Sequence, residues 1–292
     1  MHPLPSLLTL PLLASPALGS FFFDYLKANI DNSTWAAALS APNATGTYAM
    51  RGFNLSAPAS SAFEIPGWTM TVRVAADRAT LFQDPDENGR YFTGTSISVR
   101  APDALLRDDQ VLLPANGSAW RVRAYVADAL PSQTNEQARD DDGSCGSFLS
   151  AACISEWQAA YVSAANGTLP LVPASCRGAL GTASGMWASA GFVPLAAFNG
   201  TELFARAATS SAPDGDLSAY ARATREVWPV MLVYYSDDTR REQARLTCVR
   251  AKNVTAGSAQ PNGAASVMTG MKMPTALWMT VGAVGAMVFG GL

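Results

Sequence analysis

Histidine is almost missing from this chain: among 292 residues there is one, His2. It lies in a stretch that reads as a cleaved leader, so the mature chain is expected to carry no imidazole. That excludes a Ser-His-Asp or Cys-His nucleophile, a His-ligated zinc site and a copper site braced by an N-terminal histidine. Charge is sparse as well, with 20 basic and 23 acidic residues. No basic stripe exists to neutralise phosphates, which excludes nucleic acid as a partner. Cysteine is limited to Cys145, Cys153, Cys176 and Cys248. Their spacing lacks the paired short motifs of a structural zinc site, and an even number suits two disulfides formed in an oxidising compartment. Carboxylate-only catalysis survives these absences, because it needs only two acids at the right separation. No spacing selects such a pair from Glu64, Asp77, Asp103, Asp128, Glu156, Glu202 and Glu226, so no catalytic residue and no cofactor is assigned.

The ends carry an address. Thr275 to Leu292 is apolar or small throughout, uncharged, and followed by no basic residue that would hold a transmembrane span in place. Ala265 to Pro274 separates it from the small triplet Asn262-Gly263-Ala264. This is the layout of a signal for a glycosylphosphatidylinositol (GPI) lipid anchor, with Asn262 as the expected attachment residue and 263–292 removed on maturation. At the other end, Leu4 to Leu13 is an apolar run too short to span a bilayer, and Ala17-Leu18-Gly19 supplies small residues for cleavage before Ser20. Residues 1–19 therefore read as a signal peptide.

Between the ends the fold is expected to be mainly β: an antiparallel β-sandwich over 45–251 with a small disulfide-tied helical insertion at 145–178. A helical segment, 20–44, precedes it through Tyr25, Leu26, Ile30, Trp35 and Leu39. Trp68, Met70, Val72 and Val74 alternate with Thr69, Thr71 and Arg73, the pattern of a strand with one wet face. Tyr91 to Val99 and Trp120 to Val126 repeat it, and Gly46 to Asn54 is a fourth strand. The four are expected in one sheet, forming half of a sandwich. Val227 to Tyr235 and Ala244 to Ala251 form a hairpin, its first strand central because it is apolar on both faces. Gly178 to Gly215 shows no pattern that assigns it.

Asp84-Pro85-Asp86-Glu87-Asn88-Gly89 matches the opening of a calcium loop, but Thr95 stands where the motif requires a bidentate Glu, and turn preference explains the same residues. No metal site is assigned. Gln133 to Ser144 reads as a solvated polar boundary. After it, Ser147 is expected to cap a helix whose buried face holds Leu149, Cys153, Trp157 and Ala160. Three cysteine pairings are possible, of which Cys153 with Cys176 and Cys145 with Cys248 is favoured. Arg73, Arg100, Arg121 and Arg123 fall on polar parity, as solvating residues in preference to a basic patch. Trp68, Trp120 and Trp228 are expected in the core instead of forming a sugar-stacking platform.

Seven Asn-x-Ser/Thr sequons, at Asn32, Asn43, Asn54, Asn116, Asn166, Asn199 and Asn253, mark expected N-glycosylation sites. Residues 252–262 form a polar stalk.

Gly46-Thr47-Tyr48 with Gly52-Phe53, Gly67-Trp68-Thr69, Thr93-Gly94-Thr95 and the Cys145, Cys153, Trp157, Cys176 cluster together resemble a loose group of secreted, anchored surface proteins of filamentous ascomycete fungi. The resemblance covers residues 45–250. It implies a fungal cell surface or wall and transfers no functional residue. The expected protein is thus a non-catalytic glycoprotein on the extracellular face of the plasma membrane or in the wall. It would be bound to the membrane by lipid and could touch wall polysaccharide. A glycan-binding module is the alternative, and a carboxylate enzyme acting on polysaccharide a third reading.

Overall fold

The alternation around Trp68 builds the longest strand among the described residues. In the computed structural model, the residues described are 27, 30–58, 63–79, 91–108, 110–111, 120–127, 130–164, 169–181, 186–188, 198–210, 217–236 and 242–255. The chain divides into two units, 1–262 and 263–292, and all described residues belong to the first. The Asp84 to Gly89 loop, the expected leader 1–19 and tail 263–292, Asn116, Asn166 and Asn262 lie outside them.

The first sheet contains β1 (Ala44–Phe53), β2 (Glu64–Ala79), β3 (Tyr91–Arg100), β8 (Asn199–Ser210) and β11 (Asn253–Val254), in the order β11-β1-β2-β3-β8. The second contains β6 (Trp120–Ala127), β7 (Met186–Ala188), β9 (Trp228–Ser236) and β10 (Glu242–Val249), in the order β10-β9-β6-β7. A small ladder joins β4 (Leu106–Arg107) to β5 (Gln110–Val111). Every pairing is antiparallel. The inner faces meet in one core, to which Trp68, Met70, Val72 and Val74 contribute from one sheet and Val122, Ala124, Val230 and Leu232 from the other. Burial of each valine, leucine and methionine among them stabilises the sandwich by roughly 1.5–3 kcal/mol relative to exposure.

The mainly β, antiparallel expectation holds, but one strand belongs elsewhere. β6 pairs with β9 and β7 instead of joining the first three strands. Period-two alternation specifies which face a residue presents and is silent about which sheet it joins. β9 is central, as its two apolar faces require, and Pro229 near its start pairs with Cys248 of β10. β8 lies inside the unassigned stretch. Its outward positions are Ala205 and Ala207 and its inward positions include Arg206, so hydrophobicity alternates in neither direction.

The expectation of one wet face is corrected for β3, where Phe92 through Val99 are all buried. Helix α1 (Asn32–Ser40) covers part of the outer side. Its Trp35, Ala38 and Leu39 join Ile30, Ala75, Phe92, Ala205 and Ala207 in a separate cluster. Asp31 caps the helix by accepting from Thr34 N. Trp35 Nε1 donates to Glu202 Oε1 at 3.0 Å, and the buried Lys27 ammonium lies 5.1 Å from the Trp35 ring centroid.

The second sheet is covered by residues 130–180, a segment larger than the expected insertion at 145–178. Here α2 (Ser132–Gln137), α3 (Ala151–Ser163) and α4 (Arg177–Leu180) place Leu130, Leu149, Cys153, Trp157, Tyr161 and Leu180 against Tyr125, Ala127, Met231, Val233 and Ala244. The polar stretch from Gln133 thus includes helix, because Thr134 and Ala138 are buried and Asn135 Oδ1 accepts from Val227 N at 2.8 Å. The cap of α3 is Ser150, whose side chain accepts from Cys153 N, and the buried face is Cys153, Trp157 and Tyr161. Ser147 lies one turn before the helix, where its N–H and hydroxyl donate to Asp141. A last helix, α5 (Ser218–Arg225), adds Tyr220 and Ala223 to the main core.

A Cβ at Gly94 would sit 2.9 Å from Trp35 Cζ3, whereas one at Gly178 would meet nothing within 4 Å. Gly94→Ala is expected to destabilise by about 1–3 kcal/mol through overpacking under α1. Gly178→Ala, in α4, is expected to stabilise by about 0.4–1 kcal/mol. Urea unfolding of both variants checks the pair, and equal effects would contradict the packing of α1 on β3.

Candidate functional site

The expected disulfides form. Cys145 pairs with Cys248 across 103 residues and Cys153 with Cys176 across 23, and no described cysteine is free. The first closes a loop for which chain entropy gives roughly 4.7 kcal/mol. It also fastens the insertion to the end of β10, which is where the chain leaves the second sheet for the first.

That junction has a polar hub which the residue pattern did not disclose. Asp141, buried, accepts at Oδ1 from Gly143 N (2.8 Å) and Cys145 N (3.0 Å), and at Oδ2 from Ser147 N (3.1 Å) and Ser147 Oγ (2.8 Å). The carboxylate thus replaces the ladder that this loop lacks. Gly143 is at φ 109°, and a Cβ there would sit 2.9 Å from Tyr48 Cδ1. Its carbonyl accepts from Cys248 N at 3.0 Å. Within the acid run, only the spacing Asp141-x-Gly143-x-Cys145 carried a signal of this turn.

Tyr48 is the second hub. Its hydroxyl donates to Arg250 O at 3.0 Å and accepts from Arg250 N at 3.2 Å. Burial pushes its phenol up to about 12, so it remains a donor at every ordinary pH. Lys252 Nζ lies 4.2 Å from the Tyr48 ring centroid. Gly46 lets the chain come close, since a Cβ there would fall 1.9 Å from Arg250 O.

The other nominated residues are dispersed. Arg73 and Arg100 belong to the first sheet, Arg121 and Arg123 to the second, so they make no common patch. Trp68, Trp120 and Trp228 are all in the main core. The nominated acids whose side chains are described are each engaged separately. Glu64 binds Arg51 (3.1 Å) and Arg245, Asp103 binds Arg100 (2.7 Å), and Glu226 binds Arg206 (3.8 Å). Glu156 accepts from Ser175 Oγ at 2.7 Å, and Glu202 accepts from Trp35. The Asp77 side chain and Asp128 are outside the described residues. Among the described residues no three metal-binding side chains come together, and no helix is long and apolar enough to cross a membrane.

The described sequons fall on or beside the first sheet. Asn32 begins α1 and Asn253 lies on β11, both exposed. Asn43 is half-buried, with Oδ1 accepting from Ala76 N at 2.8 Å. Asn54, also half-buried, uses Oδ1 to accept from Ser56 N and Oγ. Asn199 opens β8 opposite Arg100.

Asp141→Ala leaves buried amides without acceptors and is expected to cost about 2–4 kcal/mol, measured by denaturant unfolding under non-reducing conditions. Tyr48 has a folded-state value above its unfolded one, so its contribution is complete below about pH 10 and is lost as pH rises toward about 12. Tyr48→Phe should therefore unfold with a shallower alkaline dependence than the parent, read by thermal unfolding across that range. No protein-family model, no curated protein and no solved structure matches this chain.

Proposed function

We propose that this protein is a non-catalytic, N-glycosylated surface glycoprotein, held at the extracellular face of the plasma membrane or in the wall by a GPI lipid anchor on Asn262. The observation that carries this reading is the pair of disulfides, Cys145 with Cys248 and Cys153 with Cys176. Disulfides of this kind persist in oxidising compartments and are rare where thiols are kept reduced. The tail signal, the leader and the sequons agree with that compartment. Exposed Asn32 and Asn253 offer accessible positions for glycan. The resemblance to fungal surface proteins agrees with a fungal cell surface. A stacking platform for sugar is not supported, because the three tryptophans that would build one are buried.

Treatment of intact cells with a phosphatidylinositol-specific phospholipase should release the protein, and removal of N-glycans should shift its mobility by several steps. Retention in the membrane after phospholipase, with no change in a form truncated after Ala264, would remove the anchor from this reading. Replacing Asn253 by Gln should remove one of the glycan steps.

A further inference from the structure

Residues 248–255, the last four of which the sequence assigns to the stalk, are fastened far more heavily than a two-residue edge strand requires. Cys248 is disulfide-bonded to the insertion, and Val249 packs into the core between the sheets. Arg250 is held on both sides of its backbone by the Tyr48 hydroxyl. Ala251 is fully buried. Lys252 N donates to Thr45 O at 2.8 Å, and its ammonium covers the Tyr48 ring. Val254 pairs with Ala44 in β11, Thr255 N donates to Asn43 O at 2.8 Å, and Thr255 Oγ1 donates to Pro42 O at 3.0 Å. Eight consecutive residues, 248–255, thus reach the insertion, the interior and the first sheet in turn.

We propose that Cys248–Thr255 is a tether clasp, the element that transmits a pull on the C-terminal stalk to the whole domain at once. A pull at Thr255 acts first on the short ladder to β1, where the bonds would open one after another. Peeling then meets Arg250, whose donor and acceptor are both engaged by a single buried hydroxyl, and stops at Cys248. There the chain is covalently joined to Cys145, and through Asp141 to the loop that seats the insertion. The tethered end therefore opens only when the domain does. The origin of the load rests on the anchor proposed above. The clasp is a property of the fold and is measured without an anchor.

Amide hydrogen exchange on the full glycoprotein tests it. Terminal segments ordinarily exchange through local fraying at free energies near zero, on the order of a thousandfold or more faster than central strands. The clasp requires that the amides of Arg250, Lys252 and Thr255 exchange within about tenfold of those of Met231 and Leu232 in β9. In Tyr48→Phe, and in the double variant Cys145→Ser with Cys248→Ser, the three amides should accelerate by roughly fivefold to tenfold more than those of β9, as expected for hydrogen bonds of ordinary strength. Fast exchange at 250–255 in the parent protein overturns the clasp, as does equal acceleration of both segments in Tyr48→Phe. Phospholipase release reports separately on the anchor, so failure of either idea is visible without the other.

Discussion

One edge of the sandwich is closed by a change of sheet, and much of the structure depends on it. The chain leaves β10 in the second sheet at Val249 and enters β11 in the first at Asn253. A corner of this kind exposes backbone groups that no ladder serves, and buried groups without partners cost about 1–3 kcal/mol each. The Tyr48 hydroxyl serves both groups of Arg250, and Thr45 O serves Lys252 N. Because the phenol comes from β1, the same bonds that satisfy the corner also fix the first sheet against the second. Glu64 repeats the device at the rim, where its carboxylate joins Arg51 of β1 to Arg245 of β10, and Arg245 lies 5.3 Å from the Phe53 ring centroid.

The second requirement is cover. A sheet that buries both faces needs a layer on its outer side, and the two sheets obtain it differently. The first uses helix α1, whose Trp35 lies against Gly94 and shares its cluster with Ala38, Leu39 and the small residues Ala75, Ala205 and Ala207. The second uses a disulfide-tied insertion whose aromatic residues, Trp157 and Tyr161, pack toward Tyr125. Covalent closure suits the insertion, since its helices are short and short helices are marginal without tertiary contacts. The polar cost of this packing is not fully met. Among the described residues Trp68 Nε1, Tyr161 Oη, Trp228 Nε1 and Tyr234 Oη are buried without a hydrogen-bond partner. Three of them belong to the interior between the sheets, so the core obtains aromatic volume there at the expense of hydrogen bonds.

Legibility in the sequence followed the solvent. β2 could be read because Thr69, Thr71 and Arg73 stay in partial or full contact with water while Trp68 to Val74 alternate inward. β8 could not, because the helix above it turns its outer positions to alanine and an arginine occupies an inner one. The inward parity of Tyr48 was legible, but its partner lies 202 residues away and no local pattern marks such a bond. Asp141 was hidden for a different reason. In the run Arg139-Asp140-Asp141-Asp142 its neighbours are exposed, and only the turn geometry separates the buried acid from the solvated ones. The cysteines lay between these cases, since spacing left three pairings open and the structure adopts the favoured one.

The sequons bear on the same edge. Asn43 and Asn54 use their side-chain oxygens as acceptors for nearby backbone groups, work that turn asparagines do without any glycan. Asn253 has no such task described and is exposed on β11, which is itself an edge of the first sheet. Exposed edges invite pairing with other chains, and proteins protect them with short strands, charge or cover. β11 is only two residues long, Lys252 precedes it, and a glycan on Asn253 would add bulk where another strand would have to dock. If the C-terminal side is anchored as proposed, that protection would matter most there, where neighbouring copies of the chain would be held at the same height.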